Sequence, residues 1–548
     1  MITFKNAPLI LLLIIVVSRS HALSDADWVV SSQGTPQATG TIDDPLDLVT
    51  ALSSSGPVKP GDIVVLKEGT YSGRFESTVS GSQELPIVIK AEYGKRVTID
   101  GRMGSGEQTL YIRGAWVVFS GLEITNSSSS RTDMVEGVRF DAPNSKLVNS
   151  VIHNNSQGIG FWQPAVNSEL YGNVIFNNGL QGETRGHGHG VYTQNQTGVK
   201  QIRNNILFFG YGFGIHAYTE GGHIEGFNFE RNVWFRTGAS VAGSSTLGES
   251  DGLLIGGLQP VDRVVIRGNY SWVPVANARS VRFGWGGSIE NEFIEIRDNY
   301  FTGNAVTQGI WKDAIAENNH FYGAQIGPQP QDFPDNHFSN ELPTYSKVVL
   351  QHNSHDTNRI DIVIYNWENN DSVLVNLGGS VLNKKTYRVH SVFDLWGEPV
   401  VHGTFTGDDI KIPMGTKKPP QPNGVSDAIV GDDDPGKRFG VFIMRLSEDA
   451  SGTDITKLSK KGIELLPSIK QSGNRQLRIC FPSDLRSRQA ALEIYSLTGQ
   501  SVASQSFENI IEKSSIEHTI NPKAVSGTYI VSLKIGKKVY TERIVIQR

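Results

Sequence analysis

Cysteine is almost absent from this chain. Among 548 residues there is one, Cys480, so no disulfide can form within the chain and its stability must come from packing. An excess of positive charge is also lacking. Lys and Arg number 50 against 55 Asp and Glu, a formal net charge of −5 that leaves no basic footprint for nucleic acid. Long apolar runs are missing too: the pronounced one, Leu9 to Val17, is too short to span a membrane. It lies between Lys5 and Ser20-x-Ala22, an order that predicts a secretory signal peptide over residues 1–22 and a mature chain without a transmembrane segment. No cysteine follows it, which excludes a lipoprotein signal. Charged residues make up 19% of the chain, too few for a compositionally disordered protein, and the 59 glycines suit a coil-rich β architecture better than a helical bundle.

What is present is a repeated phrase. Glu136-Gly-Val-Arg-Phe-Asp141, Gln157-Gly-Ile-Gly-Phe-Trp162, His189-Gly-Val-Tyr-Thr-Gln194, Phe213-Gly-Ile-His-Ala-Tyr218, Asp251-Gly-Leu-Leu-Ile-Gly256 and Arg279-Ser-Val-Arg-Phe-Gly284 share one pattern. With Val138, Ile159, Val191, Ile215, Leu253 and Val281 as the common position, the separations are 21, 32, 24, 38 and 28 residues. A fixed period-2 strand with variable spacers predicts the coils of a solenoid with elastic loops. The glycines of the phrase are expected to serve backbone turns. Ser150, Asn173, Asn205, Asn232, Asn269, Asn299 and Asn319 recur at chain reversals, where Asn tolerates a left-handed corner and can stack into a ladder. Arg203, Glu230, Arg267 and Arg297, two residues upstream, read as a solvated charge ladder.

The fold class expected is all-β, a solenoid of stacked coils over residues 23–326 followed by two small antiparallel β-sandwich domains. A helix from Asp43 to Ser54, with an acidic N-cap and early proline, covers the open end of the first coil. Residues 327–346 form a proline-rich linker, 347–446 an accessory sandwich with longer alternating strands, 447–461 a polar linker, and 462–548 a final β domain. In that last segment the phrases Leu492 to Val502, Val525 to Val531 and Lys537 to Arg548 closely resemble the C-terminal sorting domain of the type IX secretion system of Bacteroidota. The resemblance implies handling by that machinery, passage through the periplasm, and release or anchoring at the cell surface.

The chemistry is expected on one face. If the common positions point inward, the next residues point outward: Arg139, Gly160, Tyr192, His216, Leu254 and Arg282. Two further on come Asp141, Trp162, Gln194, Tyr218, Gly256 and Gly284, with Trp285 after the last. Strands ~4.8 Å apart make roughly 24 Å of surface, enough for several sugar units of a polysaccharide. Exposed aromatics on it are costly without a partner. Long spacers bring Glu183, Arg185, His187 and the segment before Asp251 to one edge, so Tyr192, His216, His189, Arg185 and Asp251 are the candidate catalytic residues. Arg139, Trp162, Gln194, Tyr218, Arg282 and Trp285 are the candidate substrate contacts.

Residues from about Asp25 to Ala324, including Gly61-Asp-Ile-Val-Val-Leu-Lys-Glu-Gly-Thr-Tyr71, resemble the right-handed parallel β-helix proteins of the pectate-lyase-like superfamily, which implies that fold for the solenoid over residues 23–326. That superfamily holds lyases, glycoside hydrolases, epimerases and binding proteins, so the resemblance implies the fold and a secreted glycan-directed protein but not one activity. Elimination from a uronate needs a base, an acid and neutralisation of the carboxylate: Tyr192 and His216 as acid and base, and Arg185 as neutraliser, complete that set. Hydrolysis needs two carboxyl groups, with Asp251 joined by Glu183, Glu220, Glu249 or Asp141. Non-catalytic glycan binding is the third reading. No metal site is assigned and no cofactor is required; calcium has candidate donors in Asp251, Glu249 and Glu183, and His187-Gly-His189 reads as loop polarity. The protein is expected to act as a monomer.

Overall fold

The computed structural model describes residues 26–102, 108–128, 135–181, 186–238, 251–273, 279–326, 332–378, 385–423 and 435–447 of a first compact unit, and 468–473, 476–480, 489–496, 501–508, 515–519, 527–535 and 538–546 of a second. Residues 1–22, where a signal peptide is expected, and Glu183, Arg185 and Glu249 lie outside the described residues.

The first unit is a parallel β-helix, coiled right-handed as parallel crossovers are. Two sheets of 11 strands and one of 10 run its length. The 10-stranded sheet carries the repeated phrase, with strands Glu136–Phe140, Gln157–Phe161, Val191–Thr193, Ile215–Thr219, Leu253–Gly257 and Arg279–Phe283. Their register pairs Val138 with Ile159, Ile159 with Val191, Val191 with Ile215, Ile215 with Leu253 and Leu253 with Val281, as the repeat predicts. All six are fully buried in one continuous core. The glycines before them are not at turns of positive φ. They are required by close approach: a Cβ on Gly158 would lie 2.3 Å from the Gly190 carbonyl oxygen, and one on Gly214 2.5 Å from that of Gly252.

The helix at the open end is shorter than predicted, Leu48–Leu52, with Asp47 as its N-cap accepting from the Thr50 N–H at 3.0 Å. Asp44 is used elsewhere, accepting from Thr39 in the preceding turn. Leu48, Ala51 and Leu52 still plug the core.

The asparagine column is a continuous ladder. Each Asn side-chain oxygen accepts the backbone N–H of the ladder residue one coil back, and its amide donates to a backbone carbonyl; from Asn173 to Asn319 successive side chains also bond one another at 2.8–3.1 Å. It extends one rung further, to Asn336. The left-handed residue is not the ladder Asn but its predecessor, such as Asn149, Asn204, Arg231, Asp298 or Asn318. That residue takes the corner, which frees the next to turn its side chain inward. The neighbouring charge column pairs as a ladder, Arg203 with Glu169 and Glu230, and Arg267 and Arg297 with Glu295.

After the helix, strands Lys347–His352, Arg359–Tyr365, Phe439–Ser447, Thr386–Ser391 and Val401–Thr404 form an antiparallel sheet, backed by the pair Ser372–Val375 and Ile410–Pro413. This sandwich packs on the β-helix. Phe176, Phe208, Phe235 and Trp272 on the outer side of one 11-stranded sheet share an apolar cluster with Tyr365, Val392, Phe439 and Val441. The Tyr365 hydroxyl donates to the Ser271 carbonyl at 2.9 Å. The second unit is all-β, with an antiparallel sheet of three strands and one of four; Leu492 and Ile494 are buried in the latter.

Candidate functional site

The outer face of the 10-stranded sheet is built by register. Tyr111, Arg139, Gly160, Tyr192, His216, Leu254 and Arg282 follow one another across paired strands. Leu254, outward by register, is fully buried, and His216 and Arg282 nearly so. The middle of the face is therefore enclosed rather than flat.

At its centre the His216 and Tyr192 rings are 5.4 Å apart. His189, at the start of the Tyr192 coil, reaches the same place: its Nε2 is 3.1 Å from Nδ1 of His216, and its Nδ1 accepts the Phe213 N–H at 3.2 Å. That order of bonds assigns the tautomers. Because His189 Nδ1 accepts, its proton sits on Nε2 and is donated to His216 Nδ1, so neutral His216 carries its proton on Nε2. His216 is thus a donor, and its accepting nitrogen is occupied. Burial pushes the Tyr192 phenol above the usual tyrosine value, so it is protonated at neutral pH.

An aromatic band extends both ways. Trp162 lies 5.2 Å from Tyr192, and on the other side Tyr218 stacks on His216 at 4.8 Å and meets Trp285 at 5.5 Å. Gln194 donates to the Tyr192 hydroxyl at 3.3 Å. All of the candidate contacts Trp162, Gln194, Tyr218 and Trp285 are therefore joined to the Tyr192–His216 centre.

The charged candidates are differently placed. Arg139 donates through Nε to Asp141 at 3.0 Å, and the same carboxylate oxygen accepts the Tyr111 hydroxyl at 2.7 Å. Asp251 is fully buried, with Arg279 Nε at 2.6 Å and Arg282 Nη2 at 3.1 Å. Arg282 also lies over the Trp285 ring at 4.8 Å. Asp251 is thus engaged by two guanidinium groups, and the candidate contacts Arg139 and Arg282 both face a carboxylate already.

One group escaped the sequence reading. Glu136 opens its strand at a position that alternation assigns to the interior, yet its side chain turns to the outer face. Gly160 in the next coil has no side chain, and Glu136 Oε1 lies 2.1 Å from where its Cβ would be. Oε1 accepts from the Trp162 indole at 2.9 Å and from Gln157 Nε2 at 3.4 Å. Burial pushes this carboxyl up to about 7, against the lowering effects of the Trp162 bond and Arg139. The signal in the sequence was the lone glycine in an outward column of large side chains.

A raised acid has a definite sign in stability. The folded chain keeps the Glu136 proton between the ordinary carboxyl range and about pH 7, so stability from this group falls as pH rises through that window. Glu136→Gln is expected to be the more stable protein above pH 7, by about 2–4 kcal/mol, and to lose this advantage near pH 4. Urea unfolding of both proteins across that range checks it.

The fold and the aromatic band define a parallel β-helix with one aromatic outer face. Residues 28–279 match the family described as Pel9A-like, right handed beta helix region, and residues 474–547 match the secretion system C-terminal sorting domain. The chain thus combines a parallel β-helix, part of which matches that family model, with a C-terminal region that matches a secretion sorting domain. Among solved structures it is similar to pectate lyase Pel9A, with 18% identity over 54% of this chain and 82% of the other at a TM-score of 0.36. It is also similar to an alginate lyase from Paenibacillus sp. str. FPU-7, with 20% identity over 51% and 96% at 0.34. A third is the GH136 lacto-N-biosidase from Eubacterium ramulus, with 15% identity over 54% and 67% at 0.31. No curated protein matches the chain.

Proposed function

We propose that the protein is exported and acts on a polysaccharide, cleaving a uronate-containing glycan by β-elimination along the outer face of the 10-stranded sheet. The observation that carries this reading is the hydrogen-bonded His189–His216 pair beside Tyr192, in the middle of the aromatic band. Trp162, Tyr218 and Trp285 offer faces for sugar rings, and the His189–His216 pair lies beside them where a uronate carboxylate, whose developing charge must be stabilised, would be bound. Tyr192, protonated, is the acid for the leaving oxygen. The likeness to pectate and alginate lyases agrees in kind.

The test is a screen of the mature protein on uronate-containing and neutral polysaccharides, following ultraviolet absorbance of the new double bond together with reducing ends. Rising absorbance supports elimination; reducing ends without absorbance overturn it. The second reading, hydrolysis, has one specific observation in its favour: Glu136 is raised to about 7, chiefly by burial and to a lesser degree by the nearby Asp141 carboxylate, which suits an acid with a partner carboxylate. Binding to the face is tested separately. In a Tyr192→Phe background, Trp162→Ala is expected to weaken glycan binding by about tenfold, a loss of ~1.4 kcal/mol, as read by calorimetry.

A further inference from the structure

We infer that Glu136 is the general base of the reaction, taking the C5 proton of the uronate held over the notch at Gly160. The inference rests on the elimination reading and adds to it the group that reading lacks. Tyr192 is a protonated phenol and so no base, and the accepting nitrogen of His216 faces His189. Asp141 holds Arg139 and Tyr111, and Asp251 faces Arg279 and Arg282.

Glu136 differs in place and in its partners: its donors, Trp162 and Gln157, are neutral, whereas Asp141 and Asp251 face guanidinium groups. Its carboxyl crosses from its own coil to the one that pairs with Tyr192, because Gly160 leaves the space. It therefore sits one strand, about 4.8 Å, from the Tyr192 row. The Trp162 ring beside it is a wall against which a sugar can stack. Its side-chain hydrogen bonds among the described residues all fall on Oε1, which leaves Oε2 outside that network. The groups that face it are Arg139 and Asp141 from its own coil, with Tyr111 acting through Asp141, and Trp162 and Gln157 from the next. A base that ionises near neutrality is suited to abstract a carbon-bound proton made acidic by a neutralised carboxylate.

The step balances within the site. Glu136 Oε2 takes the C5 proton, the C5–H electron pair becomes the C4–C5 double bond, and the C4–O bond breaks. The leaving oxygen takes the Tyr192 phenolic proton. Water then accepts the Glu136 proton and returns one to Tyr192.

The test uses the full mature chain on a polyuronate that yields unsaturated product. Glu136→Gln is expected to lower kcat by about 10²–10⁴-fold. Glu136→Ala is expected to regain turnover on addition of formate, which a purely structural loss would not do. In the wild type, kcat/KM is expected to rise with pH through about 7, and the residual activity of Glu136→Gln to lack that limb. Unsaturated product made by Glu136→Gln at the wild-type rate, or Glu136→Ala that formate does not rescue although it unfolds like the wild type, overturns the base assignment and leaves the elimination reading standing. A wild type that gives only saturated products overturns both.

Discussion

Tyr192→Phe is expected to lower kcat on a uronate glycan by about 10²–10⁴-fold while leaving KM nearly unchanged. The substitution removes one oxygen and keeps the ring, so the contacts with Trp162 at 5.2 Å and His189 at 5.9 Å persist. What is lost is the proton for the leaving oxygen and the bond from Gln194. A binding role alone would change KM and spare kcat. His216→Ala should reduce kcat similarly, because it breaks the His189–His216 bond beside Tyr192. Steady-state kinetics on both variants, with thermal unfolding as a control, decide the matter. Wild-type turnover in both variants would place the reaction elsewhere.

The largest expected effect on stability lies far from the aromatic face, in the asparagine ladder. Asn232 is fully buried and its side chain makes four hydrogen bonds: it accepts from the N–H and the amide of Asn205, and donates to the Ile202 carbonyl and to Asn269. Asn232→Ala strands these partners where water cannot reach them. At roughly 1–3 kcal/mol for each buried group left unsatisfied, partly relieved by relaxation, the cost should be about 3–5 kcal/mol. Asn232→Asp keeps the acceptor but not the donors and should also destabilise. Urea unfolding of the two variants against wild type measures it.

These two results draw on parts of the chain that were unequally legible in its sequence. The inward column from Val138 to Val281 and the ladder from Ser150 to Asn319 repeat so regularly that alternation alone aligned them, and the observed register agrees residue by residue. The outward residues followed from the same parity, which is why Tyr192 and His216 were found adjacent. Parity fails at strand starts, where the residue before the glycine leaves the pleat. His189 was found only because its loop suggested the edge of the aromatic face, and Glu136 was missed. Charge pairing was not legible either: Arg139 with Asp141 sits two residues apart, but Arg279 and Arg282 meet Asp251 only because a coil returns over it. The docking of the sandwich was hidden for a related reason. The apolar column Phe176, Phe208, Phe235 and Trp272 faces away from the helix core, and nothing local to those strands says what covers it.

The sign of the Glu136 ionisation links stability to function. The same burial that raises its pKa to about 7 lowers stability at the pH where a base would be ionised. A buried carboxyl kept at that cost, over a glycine that no neighbouring outward position shares except at the far end of the sheet, is what a functional group would leave in the record of the fold.

The central claim is that the glycan bond is broken by elimination, without water entering the product. The direct measurement is turnover in water enriched in heavy oxygen, followed by mass spectrometry of the shortest oligosaccharides. Elimination predicts products lighter by one water than their hydrolytic counterparts and free of label from the cleavage step. Products that carry one heavy oxygen at the new reducing end, with no double bond, would contradict it and assign Glu136 and Asp141 to hydrolysis instead.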